Sequence, residues 1–138
     1  MIIKVKLDEG AIMPKYAHGP DAGADLFSCE DAVIPAGGSH VFDTGVHMAI
    51  EPGYYGKIES KSGLNVKHGL TSTGVIDAGY TGSIRVKLYN HSPVPYVVRK
   101  GDKISQILIQ PVVHAAFVEV ESLEETDRGD GGFGSTGR

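Results

Sequence analysis

With 138 residues, 41% of them hydrophobic and 22% charged, the chain has the size and balance of one domain around one modest core. A net charge of −4 excludes the basic excess of a general nucleic-acid binder, although a polyphosphate pocket needs only a few local donors and cations. Cys29 is the only cysteine, so no intrachain disulfide forms, and no apolar run nears the roughly 18 to 20 residues that span a membrane; the expected location is the cytoplasm, with no membrane or nucleic-acid partner.

The 19 glycines and 7 prolines divide the chain into short runs with period-two alternation. The first strand is predicted where Ile3, Val5 and Leu7 alternate with Lys4 and Lys6. DAGADLFS follows at 21–28, with two carboxylates, Asp21 and Asp25, around Ala-Gly. It reads either as a loop entering a strand, with Asp side chains capping turns, or as a carboxylate near a hydrated Mg²⁺. Strands are predicted over 40–46 and 54–60. ESKSGLNVKHG at 59–69 holds the one plausible helix, a turn or two around 63–67. Lys61, Ser62 and Gly63 there offer a cation, a hydroxyl and an unhindered N–H, the parts of an anion site, or else an ordinary Ser N-cap with solvated lysines.

GVIDAGYTGS at 74–83 places Asp77 after Val75 and Ile76. An Asp in that setting is expected to be partly buried and poised to accept a proton, or else to open a hairpin turn. Tyr80 is then a packed hairpin aromatic or the floor of a sugar pocket. Ile84, Val86 and Leu88 alternate with Arg85, Lys87 and Tyr89, and further strands are predicted over 94–98, 104–109 and 112–120. Pro35, Pro52, Pro93, Pro95 and Pro111 fall at or between these runs, where a ladder donor is dispensable. The fold class is therefore all-β, a sandwich, jelly roll or barrel of short antiparallel strands. The six histidines form no metal-ligating spacing, so a zinc centre is not expected.

Residues 129–138, GDGGFGSTGR, contain five glycines, one aromatic and two hydroxyls. Such a segment builds no core. It is either a frayed terminus or a flexible arm whose backbone N–H groups approach phosphates while Phe133 stacks on a base. The chain thus divides into a β-domain over 1–127 and a C-terminal arm over 128–138.

Taken in order, DAGADLFS at 21–28, SKSGL at 60–64, GVIDAGYTG at 74–82, GDKISQILI at 101–109 and RGDGGFGSTG at 128–137 resemble the five motifs of the trimeric all-β deoxyuridine triphosphatase (dUTPase) family. The likeness covers essentially the whole chain. It implies the jelly-roll-like dUTPase fold and Mg²⁺-assisted hydrolysis of dUTP to dUMP and pyrophosphate, which limits uracil in DNA and supplies dUMP. Asp77 would position and deprotonate the attacking water. Tyr80 would lie under the deoxyribose and exclude a 2′-hydroxyl. Backbone groups of Gly74, Val75 and Ile76, and near Arg85, would read uracil. Lys61, Ser62, Gly63 and Gln106 would hold phosphate oxygens, and Asp25 would contact Mg²⁺ through its waters. Arg128, Phe133, Gly134, Ser135 and Thr136 would close over the nucleotide, in a homotrimer whose three subunits share each site.

Two departures stand out. Lys61 replaces the usual Arg, keeping the charge but not the planar fork that grips phosphate bidentately. The segment from Lys61 to Asp77 is also shorter than in many relatives, so the uracil-reading hairpin is expected to use different backbone atoms. The competing readings are a dCTP deaminase-like enzyme of similar motifs, a regulatory binding protein on the same scaffold, and a structural jelly-roll subunit.

Overall fold

The computed structural model describes residues 1–137. Eleven strands and one helix occur in the order β1 (Lys4–Leu7), β2 (Ala24–Phe27), β3 (Ala32–Ile34), β4 (Ser39–Asp43), β5 (Val46–Ala49), β6 (Tyr54–Glu59), α1 (Ser62–His68), β7 (Leu70–Thr71), β8 (Thr73–Ile76), β9 (Arg85–Asn90), β10 (Tyr96–Val98) and β11 (Lys103–Pro111). The expected all-β class, with one short helix, holds.

All pairings are antiparallel. A four-stranded sheet runs β2-β11-β6-β8 and a three-stranded sheet β4-β9-β7, with two-stranded ladders β1-β5 and β10-β3. One core joins them. Leu26, Ile58 and Ile107 come from the larger sheet, and Phe42, Leu70, Val86 and Leu88 from the smaller. β9 shows the plain rule: Val86, Leu88 and Asn90 are buried while Arg85, Lys87 and Tyr89 are exposed. The buried Asn90 amide is satisfied, donating to Ile34 O at 3.2 Å and Val94 O at 2.8 Å and accepting from Ser92 N at 3.0 Å.

The run expected as one strand over 40–46 is two. The buried Thr44 hydroxyl donates to Ile84 O at 2.6 Å and accepts from Val46 N at 3.2 Å. The chain turns there, and β5 leaves β4 to pair with β1. The strand expected over 112–120 is absent. After Pro111, Val112 N donates to Gly53 O at 2.9 Å, and the chain then runs outside any sheet. β2 is buried at every position, so it lacks the alternation that marks a half-buried strand.

The expected helix is present as α1. Its N-cap is Lys61, not Ser62, and no side chain caps it. Asn65 N makes the first backbone bond, to Lys61 O, leaving the amides of Ser62 and Gly63 without intrahelical partners.

Candidate active site

The sequence-predicted residues fall into three groups. The first lies at one end of the larger sheet. Asp25, Gln106 and Glu59 stand side by side on β2, β11 and β6, and directly opposed residues share a face. Asp25 is only 2% exposed, and Lys61 Nζ bonds its Oδ1. Lys103 Nζ lies 2.9 Å from Oδ2, an ion contact rather than an aligned hydrogen bond, so Oδ2 has no hydrogen-bond partner. Burial pushes the Asp25 carboxyl up, but the two lysines outweigh it and hold it below its ordinary range.

A register shift between Lys103 and Ser105 brings Lys103 to this cluster. Without it Lys103 would oppose Ser28; with it Lys103 opposes Phe27, two residues from Asp25 and on the same face. Gln106 donates from Nε2 to Ser60 O at 2.9 Å, fixing the β6–α1 junction and leaving a second N–H. Its side chain fills the space over Gly23, where an added Cβ would come within 2.3 Å of Oε1. The glycine of DAGAD is thus a packing requirement. Ser60 Oγ donates to Ser72 O at 3.1 Å, Ser72 and Ser105 share a hydroxyl contact of 2.7 Å, and Ser105 Oγ donates to Glu59 O at 2.8 Å. These buried bonds hold Lys61, Ser62 and Gly63 at the mouth of the cluster.

The second group lies at the other end of the same sheet. β8 pairs with β6 so that Thr73 opposes Glu59 and Ile76 opposes Gly56. Asp77, just beyond, therefore sits about 13 Å along the strand from the Asp25 row. Asp77 is exposed rather than partly buried, and β8 and β9 do not pair, so no hairpin is opened there. Instead 77–84 links the two sheets. Tyr80 N donates to Asp77 O at 3.2 Å to close a turn, and Tyr80 Oη donates to Ser83 O at 2.9 Å. An added Cβ on Gly82 would come within 2.5 Å of Tyr80 Oη, so this glycine makes room for the ring. Asp77 and Val75 border a cleft of about 810 Å³ with Tyr54, Tyr55 and His114. Arg85 begins β9 opposite Asp43, in the other sheet from Gly74, Val75 and Ile76.

The third group is the arm. Arg128 Nε donates to Gly131 O at 2.9 Å, and the remaining hydrogen bonds of 128–137 are likewise made within 126–137. Phe133 has a φ of 48° and a fully exposed ring. Within one chain the arm hydrogen-bonds to neither end of the sheet.

The sequence profile described as dUTPase matches residues 9–137. The chain belongs to the dUTPase family. This dUTPase is 45% identical over 135 residues to the deoxyuridine 5'-triphosphate nucleotidohydrolase of Clostridium acetobutylicum, covering 96% of this chain and 93% of the relative. The corresponding protein of Nautilia profundicola is 44% identical over 142 aligned positions, with both chains covered in full. Among solved structures, a variant dUTPase of Staphylococcus bacteriophage 80alpha with dUpNHpp matches with a TM-score of 0.93 at 31% identity, covering 99% of each chain. The dUTPase of phage phi11 of S. aureus matches with a TM-score of 0.85 at 30% identity, covering 91% of this chain and 100% of that one. A variant of that phage enzyme is described with a structural Mg(II) ion.

In the dUTPase described here, no group of three or more His, Cys, Asp or Glu able to hold a metal occurs among the described residues. A resident divalent ion needs more oxygen donors than Asp25 alone. A hydrated Mg²⁺ carried in by a triphosphate needs only one nearby carboxylate; Asp25 is one, 2% exposed and with both oxygens against lysine ammonium groups. Sequence reasoning missed Lys103, the Ser60–Ser72–Ser105 bonds and the two tyrosines of the cleft. Lys103 lay inside a recognised motif, but the face it takes depends on the register shift. No helix is long and apolar enough to cross a membrane among the described residues.

Proposed function

We propose that this dUTPase hydrolyses dUTP to dUMP and pyrophosphate in a homotrimer whose sites draw on more than one chain. The observation that carries the reading is the family match over 9–137, which contains every residue of the three groups. In the reaction Asp77 orients a water and takes its proton as the water oxygen attacks the α-phosphorus in line. The bond from that phosphorus to the bridging oxygen breaks and pyrophosphate leaves. Lys61, the free amides of Ser62 and Gly63, and the second N–H of Gln106 receive phosphate oxygens in a preorganised cradle. Mg²⁺ arriving with the substrate would neutralise triphosphate charge, and Asp25 would be the carboxylate that holds it through its waters.

Tyr80 packs on the deoxyribose, where a 2′-hydroxyl finds neither room nor partner. β8 is an edge strand. Alternate backbone groups of Gly74, Val75 and Ile76 are thus free to pair with uracil, joined by the chain near Arg85. A site built to pair with one base edge rejects another by leaving buried groups unpaired. Arg128, Phe133, Gly134, Ser135 and Thr136 close over the nucleotide from a neighbouring copy. The trimer reading is supported by the segment after Pro111. Val113, Phe117 and Leu123 are 89%, 97% and 86% exposed in the single chain, more apolar surface than a free tail accounts for. The same reading sets the enzyme in the cytoplasm, with the nucleotide pool.

Incubation with dUTP and Mg²⁺ is expected to release dUMP and pyrophosphate in equal amounts, with no ammonia from dCTP. Ammonia from dCTP without pyrophosphate from dUTP would instead mark a deaminase, and neither product would mark a binding protein.

A further inference from the structure

The loop from Asp77 to Ile84 is held mostly by groups that do not titrate near neutrality. Gly79 N donates to Ile50 O at 3.3 Å and Ile84 N to Val46 O at 2.8 Å. Ser83 Oγ bonds the Asp43 carboxylate, which that hydroxyl above all holds below its ordinary range. His47 on β5 is the exception. Its Nδ1 lies 2.7 Å from Thr81 O, and its Nε2 lies 3.0 Å from both oxygens of Asp8. A carbonyl and a carboxylate only accept hydrogen bonds, whereas a neutral imidazole carries a single N–H. Only the imidazolium satisfies both partners. A neutral His47 keeps its single N–H on the charged Asp8 carboxylate, the stronger acceptor, and turns a lone pair on the Thr81 carbonyl. Thr81 stands between Tyr80 and Gly82, whose backbone is packed against the tyrosine ring, so the Thr81 carbonyl is coupled directly to the ring's position.

We propose that His47, as the imidazolium, is a positioning residue for dUTP: it pins the Thr81 carbonyl, keeps Tyr80 set against the sugar, and releases that anchor on deprotonation. This rests on the reading of Tyr80 as the sugar-contacting residue. Four charged groups face the imidazole. Asp8 is in contact from the end of β1, Lys6 opposes it in the β1–β5 register, Lys4 lines the same cavity, and Asp43 acts from β4. The Asp8 hydrogen bond, then the Thr81 carbonyl, push the imidazole up from its ordinary 6.5 against partial desolvation and Lys6. The clamp is therefore complete below the ordinary value and is lost as pH rises through the raised one.

The test uses the full chain and the ratio of kcat/KM for dUTP to that for UTP, measured from pH 6 to 9. Ionisation of the triphosphate and of Asp77 acts on both substrates alike and cancels in the ratio. In the wild type the ratio is expected to fall about fivefold as His47 deprotonates, the factor that one ordinary hydrogen bond supplies. In His47→Gln it is expected to be flat, because the amide keeps one donor at every pH. A flat wild-type ratio, or the same slope in both proteins, overturns the proposal while leaving dUTP hydrolysis standing. If the protein does not hydrolyse dUTP, the function reading falls and the clamp is read by NMR on the free protein. There Asp8→Asn should lower the His47 titration midpoint, and wild-type Tyr80 and Thr81 amide signals should move with that midpoint. Signals that ignore the His47 titration overturn it.

Discussion

Asp25 shows how a buried carboxylate is held in this fold. It is buried at the centre of the larger sheet's end and is stabilised there by Lys61 and Lys103. Because its folded-state pKa is lowered, the stability it contributes is present above its ordinary value of 3.8 and is lost as pH falls through the lowered one. Asp25→Asn should therefore be less stable than the wild type at pH 7, by about 1.5 to 3 kcal/mol for the charge-assisted hydrogen bond lost to Lys61, with the gap closing in acid. Urea unfolding of both proteins from pH 7 down to pH 2 checks this. A gap that does not narrow at all as pH falls would assign the loss to packing instead of charge. Asp25 was legible in DAGADLFS as a candidate, but its burial between two lysine partners was not. Lys61 is far from it in sequence, and Lys103 reaches its face only through an irregularity that no residue type announces.

At the scale of elements, alternation located β1 and β9, where exposed positions alternate with covered ones. It missed β2, dry on both faces, and read 112–120 as a strand because composition says nothing about whether a partner edge is in reach. Motif glycines likewise divide by what surrounds them. An added Cβ at Gly23 collides with Gln106, whereas one at Gly63 meets nothing within 4 Å. Gly63→Ala should therefore keep or raise thermal stability, since alanine is favoured over glycine in a helix by about 1 kcal/mol. It should nevertheless raise KM for dUTP, because the methyl occupies space kept for phosphate. Gly23→Ala should lower stability. Equal melting losses in the two variants, with KM unchanged for Gly63→Ala, would remove the phosphate role from the start of α1.

At the scale of the whole molecule, the residues assigned to the site under the proposed function lie in three separate places. The motifs nominated those residues from sequence. Their separation was not legible, because it depends on which sheet each segment enters: Gly74 and Arg85, eleven residues apart, belong to different sheets. Association of copies is the simplest arrangement that brings the arm to Asp77. Two defects on separate chains test it. Asp77→Asn removes the base while keeping the arm, and deletion of 129–138 removes the arm while keeping Asp77. Each protein alone should fold and lose turnover, by about 10² to 10⁴ for the missing base. The decisive measurement is dUTP turnover of the two co-expressed and purified as mixed assemblies. Recovery of turnover well above either parent is expected, since one chain's Asp77 then meets another's arm. A mixed assembly as inactive as its parents would contradict a site shared between chains.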